Sequence, residues 1–175
     1  VRSEKGFQVA TKNTSTGAIT TRMSSGMPDL TGLSISDVAT ATNVTLAADT
    51  ISVINYTGAA AATCTLPAAT AGTIVVYAQA VDTTGGTATL VFDAAGSDVW
   101  ATGSVIESRG SSEVTFDTSA AGETKLTFTP ANATTNLLTT GGQIAFICYE
   151  DATWHIATKL AAETTQVTGA FVFAA

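Results

Sequence analysis

Charge is what this sequence has least of. Asp, Glu, Lys and Arg make up 12% of the 175 residues, against roughly 25% in an ordinary soluble domain. Seven basic residues face fourteen acidic ones, giving a formal net charge of −7 and a pI near 4.4. Arg2, Arg22, Arg109, Lys5, Lys12, Lys125 and Lys159 are scattered. They form no basic stripe to release counterions from phosphates, which excludes DNA and RNA as partners. Histidine occurs once and cysteine twice, with no C-x-x-C pair, so a structural zinc site has no ligand set. Apolar runs go no further than stretches such as Ile144–Tyr149. A spanning helix needs about 20 apolar residues, so no membrane partner is expected. The start of the chain shows no charged segment leading into an apolar run, the mark of a secretory signal. A nucleophile elbow of the G-x-S-x-G kind and a phosphate-cradling Gly loop with a Lys are both missing.

Thr and Ala replace the missing charge and together form over a third of the chain. Hydrophobic residues reach 45% and the mean hydropathy is +0.31, which excludes the low-hydrophobicity, high-charge signature of disorder. The helical period is nearly absent, although Leu160–Thr164 has room for one helical turn. Residues 1–48 read as an extended N-terminal arm. Its short extended pieces at 6–10, 18–23 and 42–46 are separated by breakers such as Asn13–Gly17 and Ser24–Asp29. Phe7 is its one aromatic residue, and Arg2, Lys5, Lys12 and Arg22 give it an early excess of positive charge over Glu4.

From residue 49 to 175 strands arrive at sandwich-like spacing, near 50–56, 62–66, 73–81, 86–92, 98–107, 112–117, 123–129, 142–149, 152–159 and 166–173. Thr alternates with large apolar residues in Val114–Phe116 and Leu126–Phe128, which places the two kinds on opposite faces. Gly85-Gly86, Gly96, Gly110, Gly122 and Gly141-Gly142 supply the turns. The pattern predicts an all-β fold, an antiparallel, jelly-roll-like β-sandwich. Gln143–Tyr149 and Thr153–Ala157 form its clearest hairpin. Apolar residues on both faces of the first of these strands place it at the centre of a sheet. Cys64 and Cys148 lie in strand-like runs, where a thiol behaves as a small buried hydrophobe; whether they pair stays open, because sequence does not set their separation.

His155 beside Glu150 and Asp151 is the nearest approach to a catalytic cluster. On an alternating strand, however, His155 and Trp154 face opposite sides, and Trp154 is the core member. Asp93 with Asp98, and Asp117 with Glu123, flank two loops. Paired carboxylates of this kind cleave glycans or bind calcium, but an Asp at a turn far more commonly caps nearby backbone N–H groups. Ser108–Ser112 reads as a turn with no His near it in sequence. The patterns at Asn13, Asn43, Asn55 and Asn132 match glycan acceptors, and a Thr-rich chain generates them by chance. No catalytic residue, cofactor or metal ligand is therefore assigned, and the chain is expected not to be an enzyme.

Pro67 ends one strand by removing a ladder donor, and Gly72 releases the chain into the next. The segment Thr65-Leu66-Pro67-Ala68-Ala69-Thr70-Ala71-Gly72, with the strand Thr73–Ala78 after it, resembles one common in small β-domains of tailed-phage virions. These include capsid cement proteins of cyanophages and some fibre heads. Gly141-Gly142 through Cys148, then Asp151-Ala152-Thr153-Trp154, is similar to the closing strand pair of those domains. The resemblance runs over roughly residues 49–159. It implies a homotrimeric cement or decoration protein on the capsid exterior, with the major capsid protein of the same virion as its partner. A tail-fibre or receptor-binding head is the alternative, and a glycan-binding or glycan-cleaving module the second. The low charge agrees with an interface protein on its own terms, since sizeable apolar surface usually marks contact sites.

Overall fold

The computed structural model describes residues 7–12, 19–24, 34–36, 39–40, 42–83, 86–109, 114–130, 137–160, 163–164 and 170–175. These residues form strands, turns and loops, with no helix among them. The chain divides into two compact units, Val1–Ser34 and Ile35–Ala175. The first contains an antiparallel hairpin of β1 (Phe7–Lys12) and β2 (Ile19–Ser24), registered from Phe7 opposite Ser24 to Lys12 opposite Ile19. The division falls at 34/35 rather than at the expected 48, because β4 (Ala39–Thr40) and β5 (Asn43–Thr45) are ladder partners of later strands. Strands of two and three residues offer too little pattern to be told from an extended arm.

The second unit is a sandwich. One sheet is seven-stranded and holds β3 (Ser34–Ile35), β4, β6 (Thr50–Asn55), β8 (Ile74–Gln79), β10 (Val99–Trp100), β15 (Gln143–Glu150) and β16 (Thr153–Leu160). The facing sheet holds β5, β7 (Ala62–Thr65), β9 (Leu90–Asp93), β13 (Lys125–Phe128) and β18 (Phe171–Ala174). Two short pairs stand apart: β11 (Val105–Arg109) with β12 (Val114–Thr118), and β14 (Leu137–Leu138) with β17 (Glu163–Thr164). The predicted strand at 98–107 is thus two strands, broken by a turn at 101–104 in which Gly103 has φ +84°. In the stretch with room for a helical turn, Leu160 ends β16 and Glu163–Thr164 form β17, while 161–162 lie outside the described residues.

The fold is all-β as expected, but the sheets are mixed, which corrects the expectation of antiparallel sheets. From β4 to β9 the chain alternates between the two sheets, and β4–β6, β5–β7, β6–β8 and β7–β9 are all parallel pairs. Parallel neighbours require a crossover. Here a strand of the facing sheet provides it: each crossing reverses the chain, so two crossings return it to the first sheet in its original direction. The later strands close this coil in antiparallel fashion, β15 on β8, β16 on β15, β13 on β9 and β18 on β13. The short β10 adds a further parallel edge beside β16. A period of two specifies which face is buried but not strand direction, which is why the sequence pattern fits either arrangement.

One core lies between the sheets. Burial alternates strictly along β6, β7, β9 and β13. Tyr77 meets Phe92 edge-on at 5.1 Å, Phe92 meets Phe146 at 5.2 Å, and Trp100 bridges Phe146 at 5.5 Å and Phe173 at 5.7 Å. This aromatic chain runs from one sheet to the other and back. β15 lies between β8 and β16, as its two-faced apolar pattern requires, and Ile144, Ala145 and Phe146 are all buried. Cys64 and Cys148 are both buried and both free, so they do not pair.

Candidate functional site

The residues that carried chemical promise gather mainly at one end of the sandwich, where β6, β8, β10, β13 and β16 begin and β7, β9 and β15 finish. There the Leu66–Thr73 loop is fixed by carboxylates from three separate turns. Ala69 N–H donates to Asp98 Oδ2 at 2.6 Å, Ala71 N–H to Asp151 Oδ1 at 2.9 Å, and Ile74 N–H to Asp49 Oδ1 at 3.2 Å. Backbone bonds run alongside: Ala152 N–H to the Ala69 carbonyl at 2.9 Å and Gly72 N–H to the Cys148 carbonyl at 2.8 Å. Pro67 and Gly72 open the chain at each end of this loop, which leaves inner N–H groups without ladder partners. The Asp side chains supply acceptors for these amides, of which the Ala69–Asp98 bond is half-buried and the other two are exposed.

Three further carboxylates have the same occupation. Asp117 Oδ2 accepts Phe173 N–H at 2.5 Å, on an edge strand, and Glu123 Oε2 accepts Ala120 N–H at 2.6 Å within its own turn. Asp82 Oδ1 accepts both the N–H and the hydroxyl of Thr140, at 2.7 and 2.9 Å, and these two bonds hold its carboxyl below the usual carboxylate range. The Asp93 carbonyl accepts Leu66 N–H at 2.8 Å. Asp98, Asp117 and Glu123 are each engaged with a backbone amide, so of these two pairs the carboxylates of Asp117 and Glu123 serve separate amides, Phe173 and Ala120. Among the described residues no three His, Cys, Asp or Glu side chains form a metal-holding group.

His155 and Trp154 do take opposite faces of β16. Trp154 is fully buried, while His155 is half-buried on the other face, its ring 4.8 Å from that of Tyr149. With Asp151 tied to the Leu66–Thr73 loop, the triplet Glu150, Asp151 and His155 is split between a loop cap and an aromatic contact. Burial pushes the Cys64 thiol up to about 12 and raises that of Cys148, whose Sγ–H donates to the Glu150 carbonyl; neither is poised as a thiolate nucleophile. Ser108 and Arg109 belong to β11, and 110–112 lie outside the described residues. Asn43 is exposed on β5 and Asn55 is half-buried; Asn13 and Asn132 lie outside the described residues.

A polar cluster inside the core escaped the sequence reading. Tyr77 donates its hydroxyl to Gln79 Oε1, and Gln79 Nε2 donates to the carbonyls of Tyr56, at 2.6 Å, and of Val81. The Tyr56 hydroxyl donates to the Ala88 carbonyl. Burial raises both phenols above their ordinary range, so they stay neutral donors. A Gln two residues after a Tyr on the inward face of an apolar strand is the one trace of this in the sequence. The surface presents isolated apolar side chains at Ile35, Val105, Tyr149 and Val172, of which Ile35 and Tyr149 are the most open at 72% and 66% exposed.

Comparison with family models, with curated proteins and with solved structures gives no match for this chain.

Proposed function

We propose that this chain is a structural protein of a phage particle, bound to the outside of the capsid as a cement or decoration protein that stabilises the shell. The observation that carries this reading is the use made of the carboxylates. Asp49, Asp82, Asp98, Asp117, Glu123 and Asp151 are hydrogen-bonded to the protein's own backbone, across up to 80 residues of sequence. Those bonds tie the acidic groups into the fold, which leaves them poorly placed for acid–base or metal chemistry. The sparse charge suits close apposition to a neighbouring protein surface. The resemblance of Thr65–Gly72 and Gly141–Trp154 to cement-protein segments supplies the capsid as partner. The chain acts as a homotrimer in this reading.

The second reading, a fibre or receptor-binding head, is favoured by one feature, the exposed Tyr149 set edge-on against His155 at the loop-bearing end. Cryo-electron microscopy of the particle separates the two. Many copies spread over the shell are expected, and a few copies confined to the tail would replace the cement reading with the fibre one. Sedimentation of the purified protein at micromolar concentration is expected to give a trimer, and a monomer would count against that assembly.

A further inference from the structure

An open sheet edge presents a row of backbone N–H and C=O groups to any strand that can reach it, and most edges of this sandwich are guarded. The seven-stranded sheet ends in β10 on one side and in β3 and β4 on the other, each only two residues long. Past β10, β16 runs on beside β15 with two shifts of register, an irregularity that bends an edge away from pairing. At one end of the facing sheet, the Phe173 N–H of β18 is taken by Asp117. The other end, β5, has no such device. Between Val38 and Ala48 the chain holds no charged residue, proline or glycine. The β5–β7 ladder runs from the Thr42 carbonyl, which accepts Thr63 N–H at 2.9 Å, to Leu46 N–H, which donates to the Thr65 carbonyl at 2.8 Å. Successive residues of a strand in a parallel ladder direct their backbone groups to opposite sides. Thr42, Val44 and Leu46 therefore serve β7, while Asn43 and Thr45, both exposed, turn their N–H and C=O groups outward.

The first unit of the chain has the opposite need. β1 and β2 form a two-stranded sheet of six register pairs. A hairpin of that kind is marginally stable alone in water and gains its standing from a third strand. Among the described residues β1 and β2 pair only with each other, and β5 only with β7. We propose that the β1–β2 hairpin of one copy adds to the β5 edge of a second copy, extending its five-stranded sheet. The backbone groups of Asn43 and Thr45 make the new ladder, and an uncharged edge lets the incoming strand lie close without burying a charge. Donor and acceptor are different surfaces, so the contact repeats head to tail until it closes on itself. The inference rests on the homotrimer reading, in which three such contacts close the ring. At concentrations near the dissociation constant such linkage adds little to the stability of each copy, so loss of the hairpin should show in assembly and not in the melting temperature.

The test combines amide hydrogen exchange with sedimentation of the full chain. In the trimer the Asn43 and Thr45 amides are expected to exchange several-fold more slowly than after dilution to monomer, while Val44, bonded to β7, stays the same in both. Two full-length variants separate donor from acceptor. Ala10→Pro with Thr21→Pro, at register partners, breaks the hairpin. Thr45→Pro removes an outward donor and no bond to β7. Each is expected to stay folded and to sediment as a monomer. Mixed together they should form a one-to-one complex, because one supplies an intact edge and the other an intact hairpin. Fast exchange at Asn43 and Thr45 in the trimer, or a trimer formed by the hairpin variant, would overturn the exchange and leave the trimer standing. A wild type that is monomeric at every concentration would overturn both. Protection of Asn43 and Thr45 that appears only on the capsid would assign the edge to a capsid strand and overturn the proposal as well. If Thr45→Pro does not fold, the exchange rates and the hairpin variant still decide.

Discussion

Asp98 and Ala69 lie 29 residues apart in the chain, yet Asp98 Oδ2 accepts the Ala69 N–H at 2.6 Å. The bond joins the turn before β10 to the loop that precedes β8, and Asp151 and Asp49 anchor the same loop from two other turns. Asp98→Ala removes a charged acceptor from a half-buried amide. The expected loss is about 1–2 kcal/mol of stability, read by chemical denaturation. Faster hydrogen exchange should be confined to residues 68–74. An unchanged midpoint together with unchanged loop exchange would mean that the bond contributes nothing.

Acid acts on Asp82 in a defined direction. Its two bonds from Thr140 place the folded-state pKa below the unfolded one. A group of that kind contributes stability above the ordinary carboxylate pKa of about 4 and loses the contribution as pH falls through the lowered folded value. Asp82→Asn is expected to be less stable than wild type at neutral pH, with the gap closing below pH 4 (roughly the same range). Thermal midpoints measured across the acid range check the sign.

The chain division predicts two truncations with different outcomes. Removal of residues 1–34 leaves every strand pair among β4–β18 in place, and the melting temperature is expected to hold. Removal of 1–48 also takes away β4, β5 and the buried Leu46. Losing a core side chain of that size costs about 2–5 kcal/mol, and even 2 kcal/mol lowers the midpoint by about 4–8 °C at this chain length. Equal midpoints for the two truncations would restore a boundary at residue 48.

Phe92 is fully buried and touches both Tyr77 and Phe146. Phe92→Ala opens the middle of the aromatic chain between the sheets and is expected to cost about 3–5 kcal/mol. Phe92→Leu, which keeps most of the volume, should cost markedly less. Guanidinium unfolding of both variants gives the comparison.

Gly86 approaches the Gly58 backbone so closely that a Cβ on it would sit 2.7 Å from the Gly58 carbonyl oxygen. That oxygen already accepts Ala88 N–H at 3.0 Å, so it has little freedom to withdraw. Gly86→Ala is expected to destabilise by about 1–3 kcal/mol, whereas Gly72→Ala meets no atom within 4 Å and should show only the strain of its φ of +91°. Melting curves of the two variants rank them.

Much of the β-unit is legible residue by residue. Leu126 and Phe128 alternate with Thr127 and mark β13, Pro67 and Gly72 mark the loop, and Trp154 and His155 declare their opposite faces, whereas β6 buries Thr50 and Ser52 and leaves Ile51 and Val53 half-exposed, against the pattern. Strand direction is not legible, because a Thr–apolar alternation looks the same whether its neighbour runs with it or against it. Nor are β4 and β5, whose few polar residues gain their place from partners far along the chain. The carboxylates were open to two readings in sequence. Only the distances from Asp98, Asp151, Asp49 and Asp117 to particular amides separate a cap from a reactive pair. The Tyr56–Tyr77–Gln79 cluster was hidden because its key acceptors are backbone carbonyls, which no sequence pattern displays.

The winding of β4 to β9 between the sheets bears on how the chain acquires its fold during synthesis. Each strand from β4 to β7 pairs with the one two strands ahead, so this part of the coil has its partners soon after it leaves the ribosome, whereas the other edge of β8 waits for β15. The free edge of β9 must wait for β13, and β13 in turn for β18, which brings Phe171 and Phe173 into the core last. A nascent chain stalled near residue 95 is therefore expected to shield its first strands in part from protease. Resistance across β9 and β13 should arrive only after residue 174 has cleared the exit tunnel.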